Sequence, residues 1–337
     1  MGWYRAIGRP LFFALPPETS HVVANRLLGL PLPWDRLGGV PDDPVLRTSL
    51  AGIPLANPIG LAAGFDKTCE RLDSLGRLGF GYVVGGTVTR AARVGNPKPR
   101  IVRYPRRASM VNAMGLPNPG AEAVARTLGR TPKTAPRLAS IADEALEDAL
   151  ATHALLEPHV DGIELNASCP NVSWGRDRDN EAHLAALLRE LGARRSTPLF
   201  VKLPPFRTEV EREVVLALAR IAVEGGVDGL VCSNTRRVAD RRLAVGAGGL
   251  SGAALTRDTP RIVADVRDGT EGAVPISACG GVFTADDALA CLQAGAATVQ
   301  IYTGLVFRGP GVVGELAHGT AVALRRIGSK LASLPEP

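Results

Sequence analysis

The feature that most limits how this 337-residue chain can fold is a rhythm of apolar runs. Eight short, almost continuously apolar segments recur along it: 58–63, 81–86, 137–141, 162–166, 199–203, 229–233, 274–279 and 298–302. Between them lie longer stretches, such as 208–224 and 285–294, with apolar residues three and four apart, the spacing of a helix face. Continuous rather than alternating apolar runs suit parallel strands buried on both faces. Eight strand–helix units in succession predict an α/β fold, a (β/α)8 TIM barrel. An open doubly wound sheet is the competing architecture; it is disfavoured because the strand count is eight and no GxGxxG follows the first strand. Residues 1–45 fall outside the rhythm and predict an N-terminal helical extension, leaving 46–337 for the barrel. Residues 88–118, after the second run, are too many for a plain turn and make a candidate functional loop.

Composition narrows the function classes. The chain is 45% hydrophobic and 21% charged, ordinary for a soluble globular protein. Its net charge of +6, with Arg outnumbering Lys, would suit nucleic acid, but no dense basic run with interleaved aromatics is present, so no nucleic-acid partner is expected. Cys69, Cys169, Cys232, Cys279 and Cys291 form no CxxC pair, which argues against a disulfide framework or a zinc site and fits a reducing compartment. No stretch approaches the ~20 apolar residues of a membrane span. A removable signal peptide is also not expected, since no small-residue cleavage site follows an apolar core.

Active sites of such barrels lie at the C-terminal ends of the strands. The first run ends in Ala62-Ala63-Gly64-Phe65-Asp66-Lys67 and the second in Gly85-Gly86-Thr87. The fourth ends in Asn166, Ser168, Cys169 and Asn171, the fifth in Lys202, and the sixth in Ser233-Asn234-Thr235. Gly280-Gly281 follow the seventh, and Tyr302-Thr303-Gly304 the eighth. With no His and one carboxylate, Asp66, this set argues against metal-assisted hydrolysis and against glycoside cleavage, so no metal is predicted. It suits a neutral or anionic planar ligand held by amides, beside a phosphate-bearing cofactor cradled by the last two glycine turns. Lys202 is hard to explain as packing, because a buried ammonium is costly unless paired. Lys67 has a plainer reading, a surface ion pair with Asp66 or Glu70.

The motifs at these ends are ordered and specific. They are Asn57–Lys67 (NPIGLAAGFDK), Gly85–Thr89 (GGTVT), Gly95–Arg103 (GNPKPRIVR), Asn112–Asn118 (NAMGLPN), Asn166–Asn171 (NASCPN), Val201–Pro205 (VKLPP), Ser233–Thr235 (SNT), Gly248–Gly252 (GGLSG) and Gln300–Gly304 (QIYTG). Over essentially its whole length the chain resembles the dihydroorotate dehydrogenases, FMN enzymes that make orotate for pyrimidine biosynthesis. The resemblance implies that FMN is held by Ala62, Ala63, Gly64, Thr87, Ser140, Asn166, Lys202, Ser233, Gly252, Gly280, Gly281, Tyr302 and Thr303. It implies a substrate site of Lys67, Asn112, Met114, Gly115, Leu116, Asn171, Asn234 and Thr235, with Asn166 reaching both ligands. Cys169 is the implied base, removing a proton from ring C5 while hydride leaves C6.

Within that family the motifs are mixed. Glu18-Thr19-Ser20-His21, Lys98 to Arg103, GGLSG and QIYTG resemble the membrane-associated, quinone-using class, whereas Cys169 and the Asn112–Asn118 loop resemble the soluble class. Ser140 stands where the quinone class has Asn. Quinone is the expected electron acceptor and fumarate the alternative; a relative acting on another dihydropyrimidine-like ring is the alternative substrate reading. Trp3, Tyr4, Ile7, Leu11, Phe12, Phe13 and Leu15, with Arg5 and Arg9 among them, lead into a second helical stretch at 17–30. Aromatics with arginines fit an interfacial helix pair on the cytoplasmic side of the cell membrane, and the resemblance to the quinone class implies that the pair forms a quinone tunnel with His21 and Arg103 at its inner end. The bland alternative is a helix packed on the barrel of a cytoplasmic protein. The oligomeric state stays open between monomer and dimer.

Overall fold

A computed structural model describes residues 2–40, 42–142, 145–167 and 179–326. Eight strands form a closed parallel barrel: β1 (Ile59–Leu61), β2 (Tyr82–Val88), β3 (Arg137–Ile141), β4 (Gly162–Leu165), β5 (Leu199–Leu203), β6 (Gly229–Cys232), β7 (Ile276–Cys279) and β8 (Ala296–Ile301). Each pairs with its neighbours in sequence, and β8 closes onto β1 with Val299 opposite Ile59. Several strands stop one residue short of the apolar runs, so that Ala62, Asn166, Ser233 and Tyr302 lie just past the ladder.

Alternation along the strands builds two cores. Ile163, Leu165, Leu199, Val201 and Leu203 face the surrounding helices. Tyr82, Val84, Leu138, Phe200 and Val231 fill the barrel interior. The hairpin Thr48–Leu50/Ile53–Leu55 adds Leu50, Ile53 and Leu55 to that interior cluster, and this plug leaves the opposite end of the barrel for a site. Local chemistry sets the helix starts: Thr208 with Glu211, and Thr284 with Asp287, form capping boxes, each cap contributing about 0.5–2 kcal/mol. Arg137 opens β3 by donating to the carbonyls of His159, Thr131 and Leu128 at 2.8, 2.9 and 2.9 Å, which ties the preceding helix to its strand.

The 88–118 connection contains two strands, Ile101–Tyr104 and Ser109–Asn112. They join Ala247–Gly252 and Arg236–Ala239, from the connection after β6, in a four-stranded antiparallel sheet. Short strands of mixed polarity, paired across more than a hundred residues, left no run to read in the sequence.

The N-terminal segment runs from a π-helical turn (Tyr4–Gly8) into α1 (Arg9–Ala14) and then α2 (Pro17–Leu28). Polar contacts hold it to the barrel. Glu18 takes Nε and Nη2 of Arg100 at 3.2 and 3.0 Å. Arg103 donates to the carbonyls of Phe12 and Leu15, and its guanidinium lies 4.5 Å from the ring centre of Phe13. Arg71 and Ser74 donate to the carbonyls of Asn25 and Leu28 at 3.0 and 2.7 Å. One face therefore packs against the barrel, as the bland reading expected. The other face does not: Trp3, Ile7 and Leu11 are 50%, 62% and 66% exposed.

Candidate active site

A cavity of about 490 Å³ opens at the C-terminal ends of the strands and continues between α1 and α2. That is within the ~300–1,000 Å³ usual for small-molecule and cofactor sites. Its wall brings together most of the residues the sequence singled out. From the barrel come Ala62, Ala63, Gly64, Lys67, Thr87, Asn166, Lys202, Ser233, Asn234, Thr235, Gly280, Gly281, Tyr302 and Thr303. From the antiparallel sheet and its neighbouring turn come Asn112, Met114, Leu116 and Gly252, and from the mouth His21 and Arg103. Two predicted residues stand outside the wall. Ser140 is wholly buried behind Thr87, and Gly115 packs against Asn96 instead. Cys169 and Asn171 lie outside the described residues.

The polar floor is wired across four strands. Ser140 Oγ lies 3.1 Å from Thr87 Oγ1, Asn166 Nδ2 donates to Thr87 Oγ1 at 3.1 Å, and Asn234 Nδ2 donates to Asn166 Oδ1 at 3.1 Å. Asn234 in turn accepts from the Thr235 backbone N–H at 2.7 Å. These bonds fix the amide rotamers, so the groups are oriented before a ligand arrives. Ser140 therefore touches the cavity wall through Thr87 rather than lining it.

Lys67 is not a surface ion pair. It lines the cavity and donates to the Gly64 carbonyl at 2.5 Å, while Asp66 turns inward to cap the backbone N–H of Thr68 and Arg71. Burial, offset partly by Asp66, pushes Lys67 down to about 8. Further out, the His21 ring meets Phe65 edge-on at 5.6 Å, and Phe65 meets Tyr302 at 5.4 Å. Burial, aided by the Lys67 charge, pushes His21 down to about 4, so its imidazole is neutral at neutral pH.

At the deep end, Lys202 is 5% exposed and pairs with Glu164 of β4, Nζ to Oε1 3.5 Å. Burial opposes the ammonium, yet Cys279 and Glu164 outweigh it and hold Lys202 above the ordinary lysine value. Sequence reasoning missed Glu164, Cys279, Gln300, Ser251 and Phe65. Glu164 had a legible signal, a carboxylate inside an apolar strand; Ser251, Gln300 and Phe65 sat within quoted motifs without a role, and Cys279 read as a small apolar core residue.

Known proteins show where the chain belongs. The dihydroorotate dehydrogenase family profile matches residues 45–324. The chain belongs to the dihydroorotate dehydrogenase family. It is 37% identical over 343 residues to a dihydroorotate dehydrogenase (quinone) of Rhodospirillum rubrum, covering 97% of this chain and 92% of that one. A dihydroorotate dehydrogenase (quinone) of Roseiflexus sp. is 34% identical over 349 residues, covering 96% and 95%. Among solved structures, the ligand-free dihydroorotate dehydrogenase of Eimeria tenella superposes with a TM-score of 0.81 at 28% identity, covering 94% of this chain and 98% of that one. The Eimeria enzyme in complex with ferulenol gives 0.80 at 27% identity.

The family uses FMN, and the wall fits that cofactor on structural grounds. Gly281 has φ +72°, and a Cβ there would come within 2.3 Å of the Thr256 backbone nitrogen, so only glycine leaves the cradle open. Ser251 and Thr303, hydroxyls 3.0 Å apart, line the same end and suit phosphate oxygens. Lys202 supplies a buried cation at the other end, suited to an electron-rich ring edge.

Proposed function

We propose that this chain oxidises dihydroorotate to orotate with FMN as hydride acceptor and quinone as final electron acceptor, a step of pyrimidine biosynthesis. The observation that carries this reading is one continuous cavity with two chemistries. Its floor at the strand ends is amide, hydroxyl and ammonium, and its mouth between α1 and α2 is apolar, with Phe12, Phe13, Ala24 and Leu27 in the wall. Gly252, Gly281, Ser251 and Thr303 would hold the phosphate of FMN, and Ala62, Thr87 and Lys202 its ring. Bound FMN supplies a hydride acceptor that quinone can reoxidise.

The remaining work falls to side chains. Lys67 faces the substrate carboxylate with its charge, and Asn112, Asn166, Asn234 and Thr235 offer the ring its hydrogen-bond partners. Cys169 takes the ring proton; a free thiol has a pKa near ~8.5, so modest tuning suffices for a base near neutrality. Neutral His21 and the Arg103 guanidinium offer donors to a quinone carbonyl at the tunnel's inner end. Residues 2–38 thus act as a helical extension that guides quinone to a barrel that holds the flavin and substrate. Trp3, Ile7 and Leu11 are spaced four residues apart and at least half exposed, which supports a peripheral seat on a membrane. No described helix is long and apolar enough to cross one.

The tunnel is tested by filling it. Ala24→Trp places an indole in the apolar mouth, away from the polar floor. Flavin reduction by dihydroorotate should stay within twofold of the parent, while reoxidation by a long-chain quinone slows at least tenfold. Unchanged reoxidation would mean that quinone reaches the flavin by another route.

A further inference from the structure

Glu164 has no role in binding or catalysis as described so far, and its surroundings are unusual for a carboxylate. It sits on β4 between Ser140 of β3 and Phe200 of β5 in register, with no solvent exposure. Neither of its oxygens has a hydrogen-bond donor among the described residues. Its ion-pair partner is Lys202 at 3.5 Å, itself nearly buried. Below lie Leu138 and Phe200, apolar barrel core. A buried ion pair contributes little to stability compared with well-packed apolar side chains of the same volume. Packing alone therefore does not account for an acid at this point in the barrel.

The two members of the pair differ in what they face. Lys202 lines the cavity and Glu164 does not. Charges in a dry interior act at longer range and with more force than in water. An ammonium alone in the cavity wall would draw negative charge onto a bound flavin and make it easier to reduce. With Glu164 beside it, the pair is close to neutral as felt from the cavity.

We propose that Glu164 is a positioning residue for the cofactor's electronics: its carboxylate anchors Lys202 and offsets its charge, keeping the reduction potential of the bound flavin low enough for electrons to pass on to the acceptor. This rests on the FMN reading of the cavity. It involves no contact between Glu164 and substrate.

The test uses the full-length holoprotein carrying Glu164→Gln, which keeps the shape and removes the charge. Its flavin potential, measured by equilibration with a reference dye, should move positive. Its affinity for sulfite, which adds to electron-poor flavins, should rise at least tenfold. Glu164→Asp keeps the charge but draws it back from Lys202, and should shift both readouts in the same direction by less; it carries the test if the Gln variant does not fold. A folded, FMN-loaded Glu164→Gln or, failing that, Glu164→Asp with the parent's potential and sulfite affinity overturns the proposal while leaving the flavin reading intact. Parent protein that binds no FMN overturns both.

Discussion

The Lys67 ammonium lies against the Gly64 carbonyl, and burial has brought its pKa to about 8. Its charge is therefore present below pH 8 and lost as pH rises through that value. An anionic ligand gripped by it should follow the same course. Orotate, which needs no proton transfer to bind, should bind the oxidised enzyme roughly tenfold more weakly at pH 9 than at pH 7. Titration of the flavin spectrum with orotate at several pH values reads this directly. An affinity that stays flat across that range would remove Lys67 from the carboxylate site. In the sequence, Lys67 stood between Asp66 and Glu70 and read equally well as a surface pair. Only the fold turns Asp66 inward to cap Thr68 and Arg71, which leaves the lysine to the cavity. Glu164 was missed for the opposite reason: in a run of apolar neighbours it looked like a strand residue, and its partner Lys202 lies 38 positions on in the sequence.

At the scale of elements, the two faces of the N-terminal helices meet different surroundings. Glu18, Arg71, Arg100 and Arg103 bind the inner face to the barrel. Outward, Ile7 and Leu11 are 62% and 66% exposed, with Trp3 and Leu15 partly exposed beside them. Their apolar area suits the headgroup boundary of a bilayer. Leu11→Glu should leave the fold and flavin reduction untouched, since Leu11 is 66% exposed, but should lower co-sedimentation with phospholipid vesicles several-fold. Equal sedimentation of the variant and the parent would count against a membrane seat on this face. The antiparallel sheet over the site was not legible beforehand. Its strands come from the two long connections after β2 and β6, and their pairing is set by the closed barrel rather than by local pattern.

For the molecule as a whole, the barrel was legible because burial on both faces leaves the same mark on every strand. The cavity wall followed from the fold rule that puts chemistry at strand ends, which is why Asn166, Lys202, Ser233 and Tyr302 converge as expected. Less legible was the continuity of the cavity, since the union of a polar floor with an apolar mouth depends on how α1 and α2 dock. That union is what would join two half-reactions through one flavin. Anaerobic mixing of the purified protein with L-dihydroorotate, followed by a quinone, tests it most directly. Rapid bleaching of the flavin absorbance and full return of colour on quinone addition are expected. An FMN-loaded protein that dihydroorotate does not bleach, or whose colour only fumarate restores, would contradict it.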